Sequence, residues 1–480
     1  MIDRDACAVR RFKVPAFGFA VFAFSIFEFN MPDLFDQSAL SDIAEKLVRA
    51  AKAAGADSAD AVAVRSVSQG IELREGALEE SERAESDDIG LRVFVGRRGA
   101  IVSTNDMSRA DPASLAERAV AMARVTPEDP YAGLADPNRL AHDFPDLDLL
   151  DPDMPDVATL ERRARAAEQA ALAVKGVSKS GGASASFGIG GMVLITSHGF
   201  HGSYLASRHG VSMTAIAGDG TGMERDYDYS AALHASDLDA PEKIGRTAGT
   251  RAVKRLDPRK VKTRSAPVIF DSRISGSLVG HLASAANGAS IARKSSFLKD
   301  RLGEKLFGDH IRIIDDPLRR RGLRSHPFDG EGVAVQKRAL VENGVLQSWL
   351  LDSATARELG LASTGHAARG VSAAPSPAPT NLHLEPGRLT PQQLIAETGT
   401  GFYVTDLIGM GTNLVTGDYS RGASGFWIEN GELAYPVSEV TIAGHLLEMF
   451  ASFTPANDLQ FRAGVNAPTL RVEGLTIAGH

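Results

Sequence analysis

The sequence predicts an α+β chain, with helices and strands mixed in its first half and a β-rich second half. Apolar residues at helical spacing alternate with strand-like runs between residues 40 and 255, and from 401 to 435 the pattern is strand and turn, dense in Gly. At 480 residues the chain is also too long for one compact core, because domains usually run about 100 to 200 residues. Two or three units are expected.

The first helix, over 42–54, rests on Leu40, Ile43, Ala44, Leu47, Val48 and Ala51, with Asp42 and Glu45 as a capping box. Alternating apolar residues give strands at 60–67, 70–75 and 89–95. The last turns at Gly96, Arg97, Arg98 and Gly99 into 100–104, and a helix follows at 112–124. Residues 127–156 hold six Pro and eight Asp with no sustained period, which reads as an acidic surface connection between units. A helix over 157–174, Gly-punctuated antiparallel strands over 183–217 and a helix over 241–255 complete the front. The basic run Lys254, Arg255, Arg259, Lys260, Lys262 and Arg264 precedes a buried-strand signature at Pro267, Val268, Ile269 and Phe270. With no aromatic residues between its charges the run reads as a solvated linker, and it places a boundary near 260. Glu429, Asn430 and Gly431 mark a hairpin turn. The expected organisation is an N-terminal α+β domain over 32–260, built from 32–126 and 157–260, followed by a C-terminal β-rich domain over 261–480.

Residues 1–30 stand apart. They carry Arg10, Arg11 and Lys13 before an apolar run, seven of the 21 Phe and the only Cys, Cys7. The run lacks a small-x-small cleavage site and falls short of the roughly 20 residues that cross a bilayer, so translation from Met31 is the expectation. One Cys excludes an intrachain disulfide and fits a reducing compartment. With 52 Lys and Arg against 60 Asp and Glu, the net charge of −8 argues against direct nucleic-acid contact.

The motifs of several enzyme classes are missing. The twelve His form no HExxH string. His198, His201 and His209 are clustered in sequence, but strand and turn histidines with ordinary hydrogen bonds explain them. No GxSxG occurs, and Ser296 with Lys299 satisfies SxxK without its companion motifs. The glycines at 188, 190 and 191 lie between apparent strands, whereas a phosphate cradle opens a helix. Asp315 and Asp316, being adjacent, point to opposite faces and fit a capped turn before Pro317 better than an acid–base pair.

Residues 402–411 (FYVTDLIGMG), 417–427 (GDYSRGASGFW) and 435–439 (YPVSE) resemble the PmbA (TldE) branch of the TldD/PmbA family. Further matches are 75–76 (EG), 90–94 (GLRVF), 293–298 (RKSSFL) with Leu302 and Gly303, 327–332 (PFDGEG), 349–351 (WLL) and 363–366 (STGH). The resemblance spans 31–480 and leaves 1–30 unmatched. It implies a large α+β chain of the TldD/PmbA type and a two-subunit cytoplasmic metalloprotease, formerly called a modulator of DNA gyrase, that acts on small or unfolded peptides.

In that family the TldD subunit carries an HExxxH zinc motif. The corresponding segment here is 276–285 (GSLVGHLASA), which puts Gly280 and Ala285 at the two ligand positions and His281 at the glutamate position. Neither Gly nor Ala offers a lone pair, so no metal is expected in this chain, and zinc is expected in a TldD-like partner. The glycine-rich strings serve either as tight turns or as loops that hold an extended peptide by backbone bonds. His281, Asp418, Tyr419, Ser420 and Arg421 are the candidates to line a substrate or partner cleft. Membrane contact is not expected, and a homodimer in the absence of the partner is left open. The rival readings are a stand-alone peptidase built on His198, His201 and His209, and a gyrase-modulating binding protein.

Overall fold

The computed structural model describes residues 36–106 and 111–479. The Phe-rich N-terminal stretch and Met31 lie outside them. The front half comprises α1 (Ser38–Ala53), β1 (Ser58–Arg74), β2 (Ala77–Val95), β3 (Arg98–Thr104), α2 (Pro112–Val125), α3 (Val157–Leu172), β4 (Val177–Thr196), β5 (His201–Ala217), β6 (Glu224–Ala232) and α4 (Pro241–Lys254). The strands form one six-stranded antiparallel sheet in the order β3-β2-β1-β4-β5-β6. The segments 32–126 and 157–260 therefore share a sheet, joined where β1 pairs β4 from Asp60↔Thr196 to Leu73↔Ala183. Successive side chains point to opposite faces. Ala59, Ala61 and Ala63 pack under α1 and α2 with Leu40, Leu47 and Val120, while Val62 meets Phe200, Phe328 and Val333 on the other side.

Three expectations change. Helix α1 starts at Ser38, capped at Gln37 without a side-chain bond, so Asp42 and Glu45 lie inside the helix and form no capping box. Leu40 is fully buried, and burying it extends the helix by a turn. The strands near 70–75 and 89–95 are parts of two long strands, β1 and β2, paired continuously from Ser58↔Phe94 to Arg74↔Ala77. Residues 77–86 are exposed on both faces, so no apolar alternation announces them. The 127–156 connection is not a simple surface strap, because it buries Ala135, Leu140, Leu147 and Leu149. Its Asp residues act as local caps: Asp136 accepts from Asn138 N at 3.0 Å, and Asp156 accepts from Thr159 N at 2.8 Å to start α3.

The second half begins with β7 (Arg264–Phe270) and α5 (Ser272–Ala285). Short strands follow: β8 (Ile313–Asp315), β9 (Arg338–Glu342), β10 (Val345–Leu346), β11 (Ala367–Ala368), β12 (Ser376–Pro377) and β13 (Leu382–Leu384). Then come β14 (Gly401–Ile408), β15 (Asp418–Glu429), β16 (Glu432–His445), β17 (Thr454–Pro455), β18 (Val465–Asn466) and β19 (Leu470–Ala478). One sheet runs β16-β15-β14-β7-β19-β17, and β19 also pairs with β16, so β16, β15, β14, β7 and β19 close into a ring with the two-residue β17 paired only to β19. A second sheet runs β10-β9-β8-β13-β18. Between β15 and β16, Asn430 (φ 52°) and Gly431 (φ 78°) make the expected hairpin turn, whose left-handed backbone suits these two residues.

The basic run before β7 is exposed apart from the half-buried Arg255, as a solvated linker would be, but several of its charges are also held in place. Arg255 bonds the Ser424 hydroxyl at 2.8 Å and pairs with Glu224 and Asp226, and Lys260 pairs with Glu439. Arg259 and Arg264 lie over the rings of Tyr435 and Trp427. The aromatic partners missing from the local sequence come from β15 and β16. The whole is an α+β fold, and no described helix is long and apolar enough to cross a membrane.

Candidate functional site

Helix α5 follows β7 directly, capped by Asp271, whose carboxylate accepts from Arg273 N at 3.0 Å. Ser275, Leu278, Val279, Leu282, Ala283 and Ala285 are buried in the main core against β13 and β18 of the second sheet and β14 of the closed one, which leaves Gly280, His281 and Ser284 on the outer side. A Cβ on Gly280 would have nothing within 4 Å, so that side of the helix faces open space.

Opposite stands β15, and its alternation divides the candidate residues. Tyr419 is 1% exposed and Arg421 half-buried, whereas Asp418 and Ser420 are exposed. Tyr419 and Arg421 share the face toward His281. Asp418 accepts from the Thr416 hydroxyl at 2.6 Å and thereby pins the β14–β15 loop. The four adjacent candidates thus do not form one site: two reach the recess and two do not.

The β14–β15 loop supplies a residue that sequence reasoning missed. It folds back on β15 through Ser420 N to Gly411 O at 2.6 Å and Asn413 N to Asp418 O at 2.9 Å. A Cβ on Gly411 would sit 1.7 Å from the Ser420 carbonyl oxygen, so only Gly allows this approach. The fold-back brings the Thr412 hydroxyl to 3.4 Å from His281 Nε2. The one signal for Thr412 was its place between two glycine strings.

His281, Tyr419, Arg421 and Thr412 therefore converge. The His281 and Tyr419 rings meet edge to face at 5.9 Å between centroids. Burial, then the Arg421 charge, pushes the His281 pKa down to about 4, so its imidazole is neutral at pH 7. Burial pushes the Tyr419 phenol up. Arg421 makes one long bond, Nη2 to Leu407 O at 3.4 Å, and its Nε and the Tyr419 hydroxyl are buried without a hydrogen-bond partner among the described residues.

The residues at the zinc positions do not fit the metal. Gly280 faces open space, whereas Ala285 is fully buried in the main core. Neither carries a donor atom, and among the described residues no three His, Cys, Asp or Glu side chains gather in a group that could hold a metal ion.

The other sequence candidates disperse. His201 and His209 lie eight residues apart on one strand, about 27 Å at 3.4 Å per residue. His198 Nδ1 contacts Ala135 O at 3.4 Å, His201 lies 3.7 Å from Glu45, and buried His209 lies 3.1 Å from Asp151. Ser296 donates to Ala285 O at 2.6 Å, which ties down the end of α5. Gly188, Gly190 and Gly191 sit inside β4, paired on both sides. Asp316 caps the turn, accepting from Leu318 N at 3.2 Å. Asp315 does something unforeseen: buried at the end of β8, it lies 3.1 Å from His366 Nε2 and accepts from Thr380 N at 2.8 Å.

Comparison with known proteins gives a consistent result. Residues 59–123, 150–256 and 263–479 match the family models for domain 1, the central domain and the C-terminal domain of the PmbA/TldA metallopeptidases. The chain is 40% identical over 426 residues to Metalloprotease PmbA of Escherichia coli O157:H7, covering 88% of this chain and 92% of that one. A solved Bacteroides thetaiotaomicron structure, named for modulation of DNA gyrase, superposes with a TM-score of 0.85 at 27% identity, covering 92% of this chain and 99% of the other. TldE from Thermococcus kodakarensis shares the fold, with a TM-score of 0.81 at 20% identity over 91% of this chain and all of that one.

Proposed function

The chain belongs to the PmbA/TldA metallopeptidase family, and from that premise we propose that it is the metal-free, TldE-like subunit of a cytoplasmic two-subunit peptidase. Its TldD-like partner, carrying HExxxH, would hold the zinc and act on small or unfolded peptides. One observation carries this reading. The helix face at Gly280 and His281 is open beside polar side chains, yet it carries no donor at either position that corresponds to a zinc ligand, and His281 alone cannot supply the three protein ligands a catalytic zinc needs. The chain's own residues then bind and orient peptide, and catalysis belongs to the partner.

The rim of the recess supports a partner. Ile408 (65% exposed), Met410 (94%) and Val415 (59%) crowd the β14–β15 loop beside it. Large apolar side chains grouped on one exposed loop fit a covered surface better than a solvated one. The stand-alone reading loses its site, because His198, His201 and His209 do not converge.

The test is to purify the chain alone and together with a TldD-like paralog. Zinc near zero per chain alone, co-elution at micromolar concentration with an interface of roughly 2,000 Å² or more, and peptide cleavage only by the mixture are the expected results. Zinc near one per chain, or turnover by the chain alone, would overturn the proposal.

A further inference from the structure

Arg421 is a cation without an acid. It pairs with no carboxylate among the described residues, its Nε is buried without an acceptor, and its one bond, to Leu407 O, is 3.4 Å long. Several of the more deeply buried arginines are paired, although Arg163 and Arg338 also keep a buried guanidinium nitrogen without a partner among the described residues. Arg92, Arg273 and Arg369, each buried as deeply or more so, all contact carboxylates at 2.9 Å or less. A half-buried guanidinium pays for desolvation whether or not it is paired, so an unpaired one is retained where something else supplies the negative charge.

The surroundings define what that charge is. Beside Arg421 lie the Thr412 hydroxyl and the neutral His281, whose Nε2 has only the 3.4 Å contact to Thr412. Among the described residues no acidic side chain is in hydrogen-bond contact with any of the three, and the space beside Gly280 is open. A planar, doubly accepting group fits a guanidinium fork with a hydroxyl and an imidazole next to it. We propose that Arg421, with Thr412 and His281, forms a carboxylate subsite that takes the C-terminal carboxylate of a short peptide in the recess left by the missing metal ligands. The peptide identity rests on the function proposed above; the anion chemistry does not. The subsite would anchor one end of a peptide that the assembled protein processes, or hold a product after cleavage. Tyr419 packs against His281 and fixes its ring, which makes it a positioning residue.

Calorimetric titration of the full chain, alone and without added metal, tests this with three probes. These are an N-acetylated alanine tripeptide with a free C-terminus, the same peptide amidated, and an amidated peptide with one internal Asp. The free acid should bind at least tenfold more tightly than the plain amide, and Arg421→Met should abolish that preference while Lys254→Ala leaves it intact. Arg421→Lys keeps the charge but loses the fork, and should retain a weakened preference, which guards against misfolding of the Met variant. Histidine NMR adds a readout that a merely structural role would not move. Binding places a negative charge beside Arg421, so the His281 pKa should rise on saturation with the free acid. Equal binding of acid and amide, or an unchanged preference in Arg421→Met, would overturn the proposal. Binding of the Asp peptide as tight as that of the free acid would overturn its assignment to a chain terminus. Because the chain is titrated alone, failure here leaves the zinc and co-elution tests of the assembly standing.

Discussion

A buried and a half-buried histidine in the C-terminal half show how satisfaction separates scaffold from site. His366 is 2% exposed and has a partner on both ring nitrogens, Thr364 Oγ1 at 2.8 Å and Asp315 Oδ2 at 3.1 Å. Asp315 is bonded in turn by the Thr380 amide at 2.8 Å and its hydroxyl at 2.5 Å. His281 has one long contact, a ring neighbour and a cation beside it. The first arrangement ties β8 to the segments around 366 and 380. The second spends stability on groups that nothing in the chain completes. Buried polar groups are normally paired, so an incomplete cluster beside open space points to a ligand.

The largest effect should come from breaking the complete cluster. Asp315→Ala leaves His366 and both Thr380 donors buried without an acceptor, and should cost about 3 to 5 kcal/mol in urea unfolding. Burial raises the Asp315 pKa, but the His366 and Thr380 bonds outweigh it and hold the carboxylate below its usual range, so the charged form is the native one. His281→Ala should cost about 1 kcal/mol, because it removes ring packing and little hydrogen bonding. Equal costs for the two variants would erase the distinction.

The helix that carries His281 makes a second contrast, between its two faces. Ala285→His inserts a polar ring into a fully buried position and should destabilise by about 2 to 4 kcal/mol. Gly280→Ala meets nothing within 4 Å and gains helix propensity, so it should stabilise by about 0.5 to 1 kcal/mol. The combined Gly280→His, His281→Glu and Ala285→His variant should acquire no stoichiometric zinc, since among the described residues no group of metal-ligating side chains gathers to supply the third protein ligand. Metal analysis showing one zinc per chain would refute the geometry.

Acid probes the His281 environment next. The folded-state pKa of His281 lies at about 4, below an unfolded value near 6.5, so the unfolded chain takes up the proton first. The stability this group contributes is complete above pH 6.5 and is lost as pH falls toward 4, by at most about 1.4 kcal/mol per pH unit. Burial also pushes His326 down to about 4 and lowers His209 and His383, so the wild-type curve contains contributions from all four. His281→Phe should flatten part of the decline between pH 6.5 and 4 in urea midpoints, and a slope identical to wild type would show that His281 is not held neutral.

What the sequence made legible follows from the range over which each signal acts. Helix α2, helix α3 and the turn at Asn430 and Gly431 were readable because periodicity and turn chemistry are local. The resemblance to the family brought His281, Tyr419 and Arg421 forward. Local reasoning failed for residues 77–86, where β2 has no buried face, and missed the aromatic partners of the basic run, which lie more than 150 residues away. It also treated residues 418–421 as one group, although strand alternation sends Asp418 and Ser420 away from the recess. The Asp315–His366 cluster and the Thr412 contact are wholly tertiary, joining residues 51 and 131 positions apart.

The smallest expected effect is the most discriminating, because its sign carries the argument. The Tyr419 hydroxyl is buried without a partner, so the folded state bears its desolvation without a compensating bond. Tyr419→Phe keeps the ring that packs on His281 and removes only that oxygen. If the cluster is built for a ligand rather than for stability, the variant should be as stable as wild type or more stable by up to about 1 kcal/mol, by urea unfolding. Asp315, by contrast, cannot lose its polar atoms without a large penalty, because every one of them is in use. A loss of more than about 1 kcal/mol for Tyr419→Phe would mean that its hydroxyl has a structural partner, and the recess around His281 would then be an ordinary piece of core.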